Sequence, residues 1–298
     1  MLEGPFHSGE LAVQEKTGER NAAILNGRAI DNTISPRARA FVANQRYCVF
    51  GWAAPAGPVW ATLVTGEQGF ASTNETGSSL SIRLPGPRDR SRVPPFSEMR
   101  AGDRLGTLFI ELATRRRLRV NGIVSELTPS FLLLQVEEAF PNCPKYIQRR
   151  LAAATSEKYL SEVVTQGDRL TGALVQWIRN ADTFFVASAH YDGGVDASHR
   201  GGNPGFVRVD NGTLWVPDYP GNSMFGTLGN FTVNPHGGLV FLDFHRNLQL
   251  QLSGHVRIEL DRGEEAGETG GTGRWWAFLP KAWIVSSLSP ALDWSIID

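Results

Sequence analysis

Short runs of β-branched and aromatic residues, separated by glycine-rich polar connections, dominate the chain. Tyr47-Cys48-Val49-Phe50-Gly51-Trp52 and Thr183-Phe184-Phe185-Val186-Ala187-Ser188 are two such runs, and each is a strand signal. Each follows a segment that opens on a hydroxyl residue. Ser35-Pro36 leads Arg37 to Gln45, and Thr171-Gly172 leads Ala173 to Asn180. A hydroxyl at the N-cap predicts a short helix in both places, and Pro36 suits a first helical turn. The same order of elements returns further on. Leu105 to Leu112 followed by Leu118 to Gly122 corresponds to Gly238 to Phe244 followed by Leu250 to Gly254. These matches lie about 135 residues apart, which makes the chain an internal repeat with a unit far longer than a solenoid period.

In the second copy, Phe206 to Val209 and Thr213 to Val216 flank Asp210-Asn211-Gly212, where Asn-Gly predicts a tight hairpin. Between the copies, Tyr146, Ile147, Leu151, Tyr159, Leu160, Val163 and Val164 fall at three- and four-residue steps, which predicts a helical connector. Residues 261–273 lack apolar content and read as a long mobile hairpin loop before the strand Trp275 to Leu279. Many short antiparallel strands with few helices predict a barrel or sandwich. Regular βαβ alternation is missing, and no G-x-G-x-x-G follows a strand, which argues against a Rossmann domain. The division expected is a leader at 1–33, a first β-domain at 34–141, a helical connector at 142–169 and a second β-domain at 170–298.

Composition narrows the function classes. The 298 residues are 41% hydrophobic, enough for a packed core, and carry a formal net charge of −1. No chain-wide field draws the protein to nucleic acid or to acidic membranes. Arg115-Arg116-Arg117 with Arg119 is the one basic run, and strand alternation sends Arg117 and Arg119 to one face and Arg116 to the other. The amino terminus lacks a basic start before an apolar stretch, no window is apolar enough to span a bilayer, and Cys48 and Cys143 lie in no metal spacing. A cytoplasmic location is expected. His190, His199, His236, His245 and His255 also lack metal spacing, and Ser223 sits in no G-x-S-x-G elbow. No residue stands out as a general acid or base, and His7, Glu10 and Gln14 sit in a polar leader without an assigned place.

Local anion chemistry is concentrated in the second copy. Ser198-His199-Arg200-Gly201-Gly202 joins a guanidinium fork to glycines that let backbone N–H groups approach an anion. The corresponding Pro58 to Val64 of the first copy has no arginine. Further on, Asn222 or Ser223 is expected to cap a short helix through Gly226 and Gly229, whose free N–H groups would face an anion.

The succession strand, Ser-x-Arg, hairpin, strand, Asn/Ser-led helix, Asn234-Pro235 and strand resembles the pyridoxamine 5'-phosphate oxidase-related FMN-binding split barrels. The stretches Phe6 to Gln14, Glu111 to Gly122 and Asn142 to Gln148 resemble a tandem subgroup of that family. The resemblance implies a mainly β fold of two fused split barrels with short flanking helices, and FMN held in the groove between them. It places Arg200 on the phosphate, with Ser198 and His199 beside it. Asn222, Ser223 and Thr227 fall at the phosphate-facing helix start, Asn230 on the ring side, and Arg116-Arg117 on the stretch that reaches the flavin from the other copy. The lysine usual in the family helix is replaced by Thr227. An FMN-dependent oxidoreductase with an unidentified small-molecule substrate is implied, with NADH or NADPH as candidate donor and a homodimer as candidate assembly. The alternatives are a flavin-binding or flavin-storing module without turnover, or a barrel for another phosphorylated ligand.

Overall fold

The computed structural model describes residues 5–55, 57–84, 94–155, 164–192, 194–263 and 267–297. Two helices lead the chain, α1 (Ser8–Thr17) and α2 (Arg20–Gly27), and α3 (Pro36–Ala43) opens the first repeat with Ser35 as N-cap and proline in its first turn. The strands of that repeat are β1 (Tyr47–Ala53), β2 (Val59–Thr65), β3 (Ala71–Thr73), β4 (Ser79–Arg83), β5 (Arg104–Glu111), β6 (Arg116–Leu127) and β7 (Phe131–Pro141). After β8 (Arg150–Ala154) and β9 (Val164–Gly167), helix α4 (Gly172–Asn180) opens the second repeat, and the Thr171 hydroxyl accepts the Leu174 N–H at 3.4 Å. There follow β10 (Thr183–Ala189), β11 (Val195–Gly201), β12 (Arg208–Asp210), β13 (Thr213–Pro217), helix α5 (Gly226–Val233), β14 (His236–Asp243), β15 (Leu248–Glu259), β16 (Trp275–Ser287) and β17 (Leu292–Ile296).

The repeat is a repeat of topology. One sheet runs β2-β1-β5-β6-β7-β4-β3 and the other β11-β10-β14-β15-β16-β13-β12, the same order element for element. One irregularity coincides as well. The β6–β7 register shifts between Asn121 and Gly122, and the β15–β16 register shifts between Ser253 and Gly254. A Cβ on Gly122 would collide with the Gln135 carbonyl, and one on Gly254 with that of Leu279, so both bends need glycine. The Asn211-Gly212 hairpin has φ of 48° and 78°, the positive angles that a two-residue turn demands.

Each sheet closes over its own apolar core, with Phe50, Trp52, Leu80 and Phe109 in the first and Phe184, Phe241, Trp276 and Phe278 in the second. A third cluster joins the barrels: Val49, Val59, Ala61 and Leu108 pack against Phe185, Ala187, Ala197 and Val240. Glycine sets how closely the barrels approach. A Cβ on Gly106 would strike the Val195 carbonyl, and one on its counterpart Gly238 would lie 2.6 Å from the Trp60 backbone.

Two expectations fail. Residues 142–155 and 164–169 contain no helix. Arg150–Ala154 pairs with β17 and Val164–Gly167 pairs with β16, while 156–163 lie outside the described residues. The three- and four-residue apolar spacing is real, but strands more than a hundred residues later capture the backbone. The 261–273 connection is also anchored rather than free along its described length. Thr269 is fully buried, its hydroxyl accepts the Gly273 N–H at 2.8 Å, and Thr272 donates to the Asp218 carbonyl at 2.7 Å. No helix among the described residues is long and apolar enough to cross a membrane.

Candidate functional site

A cavity of about 400 Å³ opens where β6 and β7 of the first barrel meet β11 and the α5 entry of the second. That volume lies within the roughly 300–1,000 Å³ of small-molecule sites. The leader supplies its remaining wall. Helix α1 packs on α5 so tightly that a Cβ on Gly9 would strike the Gly229 carbonyl, and one on Gly229 would lie 2.6 Å from the Glu10 nitrogen. Gln14, wholly buried, donates to the Met224 carbonyl at 3.0 Å, and Asn26 donates to the Asn222 carbonyl at 2.7 Å. The leader therefore clamps the loop that precedes α5.

One end of the cavity is cationic. Arg117, Arg119, Arg200 and Arg274 all line it. Arg274 is committed to Asp218 at 3.0 Å and Glu19 at 2.6 Å, and Arg119 to Asp196 at 3.1 Å and to Ser198. Arg200 has only a distant carboxylate, Asp218 at 3.9 Å, and Arg117 has none among the described residues. The Nε atoms of Arg117 and Arg200 and Nε2 of His199 are buried without a hydrogen-bond partner. Burial first, and the neighbouring Arg200 second, push Arg117 down to about 10. Burial, Arg117 and Arg200 hold His199 well below the usual histidine range, and burial lowers Arg200. Asp218 is raised because burial outweighs its two arginines. Unsatisfied donors and uncompensated positive charge together fit an anion.

Beyond Arg119 the wall holds carboxyls and imidazoles: Glu10, Glu138 and Asp196 with His7 and His190. Burial, then the Asp196 charge, push Glu10 up to about 8 and also raise Glu138. Burial and His190, whose ring centroid lies 4.3 Å away, lower His7. The sequence flagged no acid or base because Glu10, Glu138 and Asp196 come from three separate elements. Tyr146 and Tyr219, stacked at 4.8 Å, flank the cationic end.

Eight of the nine residues singled out from the sequence line this cavity: Ser198, His199, Arg200, Asn222, Ser223, Thr227, Asn230 and Arg117. Arg116 does not. The alternation of β6 turns it to the other face, where its guanidinium lies 4.8 Å from the centroid of the Phe41 ring. The helix start also differs from expectation. Phe225, in the left-handed conformation at φ 62°, precedes Gly226, so neither Asn222 nor Ser223 is the cap. The Ser223 hydroxyl donates to Glu19 at 2.6 Å, and the Asn222 side-chain oxygen accepts the Met224 N–H at 3.2 Å. Thr227 donates to Ser198 at 3.1 Å, and Asn230 donates to Ser188 at 3.0 Å. Arg117 and Arg200 keep open donors, and His199 keeps an unpartnered Nε2. Arg119, Asn121 and Asp196 were missed, although the two-residue steps 117-119-121 and 196-198-200 on β6 and β11 could have marked them.

Among the described residues, the pseudo-equivalent place across the barrel interface is occupied by hydrogen-bonded glutamines. Strand register aligns Gln249 with Arg117, Gln251 with Arg119, Trp60 with Asp196 and Val64 with Arg200. Gln251 donates to the Ala61 carbonyl at 3.0 Å, as Arg119 does to Ala197 at 3.2 Å. Its second hydrogen bond, however, goes to the Pro94 carbonyl at 3.1 Å, and Gln249 accepts from Thr62 and the Leu63 backbone. Among the described residues, no cluster could hold a metal ion.

Comparison with known proteins gives one family match. Residues 170–272 match the family described as pyridoxamine 5'-phosphate oxidase. No curated protein matches the sequence. Among solved structures, HupZ from Group A Streptococcus is 18% identical, covers 37% of this chain and 89% of its own, and has a TM-score of 0.30. A Clostridium acetobutylicum protein related to general stress protein 26 of B. subtilis, of the pyridoxinephosphate oxidase family, is 14% identical (41% of this chain, 90% of its own, TM-score 0.28). An F420 reductase is 16% identical (36% and 92%, TM-score 0.27).

Proposed function

Because residues 170–272 match the pyridoxamine 5'-phosphate oxidase family, we propose that the protein is a flavoprotein that binds FMN in the inter-barrel cavity and uses it in an oxidoreductase reaction. The observation that carries this reading is the pair Arg117 and Arg200, from different barrels, with buried Nε donors left open beside the unpartnered His199 nitrogen. A phosphate dianion would satisfy those donors and cancel the repulsion between the two guanidinium groups. Each charge-assisted hydrogen bond is worth about 1.5–3 kcal/mol, so a few suffice for micromolar binding after the cost of association.

In this reading Arg117, His199 and Arg200 hold the phosphate, with Ser198 and the first N–H groups of α5 at its side. Ser223 and Asn222 act indirectly, by fixing the loop against the leader. Asn230 and Thr227 brace β11 instead of reaching far into the cavity. Bound flavin would supply hydride or electron chemistry. The protein would contribute orientation, exclusion of water by α1, and charge complementarity. NADH or NADPH is the donor class proposed.

The test is the as-purified protein. A yellow chromophore with flavin absorbance, released on denaturation as FMN in a ratio of one per chain, supports the proposal. Bleaching by NADH or NADPH with reoxidation in air supports turnover. Colour without reduction would favour a storage module, and failure to bind added FMN would refute the reading.

A further inference from the structure

Three carboxyls meet around Arg119 where the leader helix closes the cavity, and they are unequally served. Asp196 is ion-paired with Arg119 at 3.1 Å and accepts from Asn121 at 2.8 Å and Asn230 at 3.4 Å. Glu138 accepts from Asn121 at 3.1 Å. Glu10 accepts the backbone N–H of His7 at 3.0 Å through Oε2, and that is its one hydrogen bond among the described residues. The Gly226 position shows how close the groups stand. A Cβ there would lie 2.7 Å from Asp196 Oδ2, 3.3 Å from Arg119 Nη1 and 3.5 Å from Glu10 Oε1. One guanidinium therefore faces three acids, and the geometry gives it to Asp196.

Besides Arg119, the basic group within ion-pair reach of Glu10 among the described residues is His7, whose Nε2 lies 3.6 Å from Oε2. On its own helix, His7 Nδ1 accepts the Gly9 N–H at 3.1 Å, the arrangement of a neutral imidazole. Helix α5 offers only Gly226, Gly229 and Asn230. Strand β11 brings Asp196, β6 brings Arg119, β7 brings Glu138, and His190 and Asp192 lie beyond His7. Two like charges in a partly dry pocket cannot both persist without compensation, so the least compensated acid keeps its proton.

We propose that Glu10 is the proton-donating residue of this cavity, presenting a carboxylic acid O–H from the leader helix to a carbonyl oxygen of the substrate. The role rests on the flavin reading; the protonation itself does not. In the reduction of a quinone, a hydride equivalent supplied by a dihydroflavin adds two electrons and one proton. The second proton passes from Glu10 to the carbonyl oxygen as its π bond opens, and the carboxylate left behind is reprotonated by water. Burial and Asp196, which push Glu10 up to about 8, agree with an acid that holds its proton at neutral pH.

Infrared pH titration of ligand-free wild type, Glu10→Gln and Glu138→Gln tests the first part. The amide oxygen of Glu10→Gln can still accept the His7 N–H, so the helix cap survives. A neutral-carboxyl stretch at pH 7 that fades through about pH 8, is lost in Glu10→Gln and persists in Glu138→Gln supports the proposal. Its persistence in Glu10→Gln, or its absence from wild type, overturns it. With FMN-loaded protein, NADPH and p-benzoquinone, turnover should fall above about pH 8, and Glu10→Gln should lower it about 100-fold and flatten the profile. An unchanged rate and profile overturn the donor role. If no variant binds FMN, the flavin reading fails, while the infrared result still decides the state of Glu10.

Discussion

Arg117→Gln should strengthen the empty protein and weaken the complex. Arg117 faces Arg200 without a carboxylate of its own and has a buried, unpartnered Nε. Its displacement from 12.5 to about 10 corresponds to roughly 3 kcal/mol held against the charged form, at about 1.4 kcal/mol per unit. Water entering the cavity screens part of this, which leaves about 1–3 kcal/mol to be regained when the charge is removed. At about 2 °C per kcal/mol for a chain of this size, ligand-free melting should rise by roughly 2–6 °C. The same substitution deletes charge-assisted contacts worth about 1.5–3 kcal/mol, so FMN should bind roughly 10- to 150-fold more weakly. Differential scanning fluorimetry without ligand and quenching of FMN fluorescence measure the two effects, with Arg116→Gln as the control that leaves FMN affinity unchanged and does not raise the melting temperature. A fall in ligand-free melting temperature would make Arg117 a structural cation, and unchanged FMN affinity would remove it from the site.

Arg200→Ala should strip most bound FMN while leaving the far-ultraviolet circular dichroism intact; full flavin occupancy would count against the assignment. Glu10 is raised in the folded state, so its contribution to stability is complete below about pH 4.5 and is lost as pH climbs through about 8. Urea unfolding at several pH values should show that slope in wild type and a shallower one in Glu10→Gln. Gly229→Ala should push α1 off α5, because the new Cβ meets Glu10 backbone and side chain, and limited proteolysis should then cut the leader first. Gly238→Ala should cost several kcal/mol in chemical denaturation, since its Cβ would meet the Trp60 backbone, which cannot rotate away.

Much of this architecture was legible because its signals are local. The paired runs at 105–122 and 238–254 occupy β5–β6 and β14–β15, and Asn211-Gly212 makes the expected turn. What escaped is non-local. Gln14 finds Met224 across 210 positions, and Arg119 finds Ser198 across 79, so no window of sequence places the leader or pairs those charges. Arg150–Ala154 carries a helical spacing but is drawn into extended pairing by Leu292–Ile296. Ser223 looked like a helix cap because its neighbours suit one, yet Glu19 takes its hydroxyl. The acid end went unread because Glu10, Glu138 and Asp196 arrive from three elements far apart in the chain.

The shared strand order of the two barrels has one more consequence, which concerns heredity rather than geometry. In an assembly of identical subunits, any substitution appears on both sides of the axis, so a residue that suits one binding place is imposed on its twin. Joining the halves in one polypeptide breaks that bond: Arg119 and Gln251 sit at matching register positions and have taken opposite occupations, one lining an open chamber and the other sealing its mirror image.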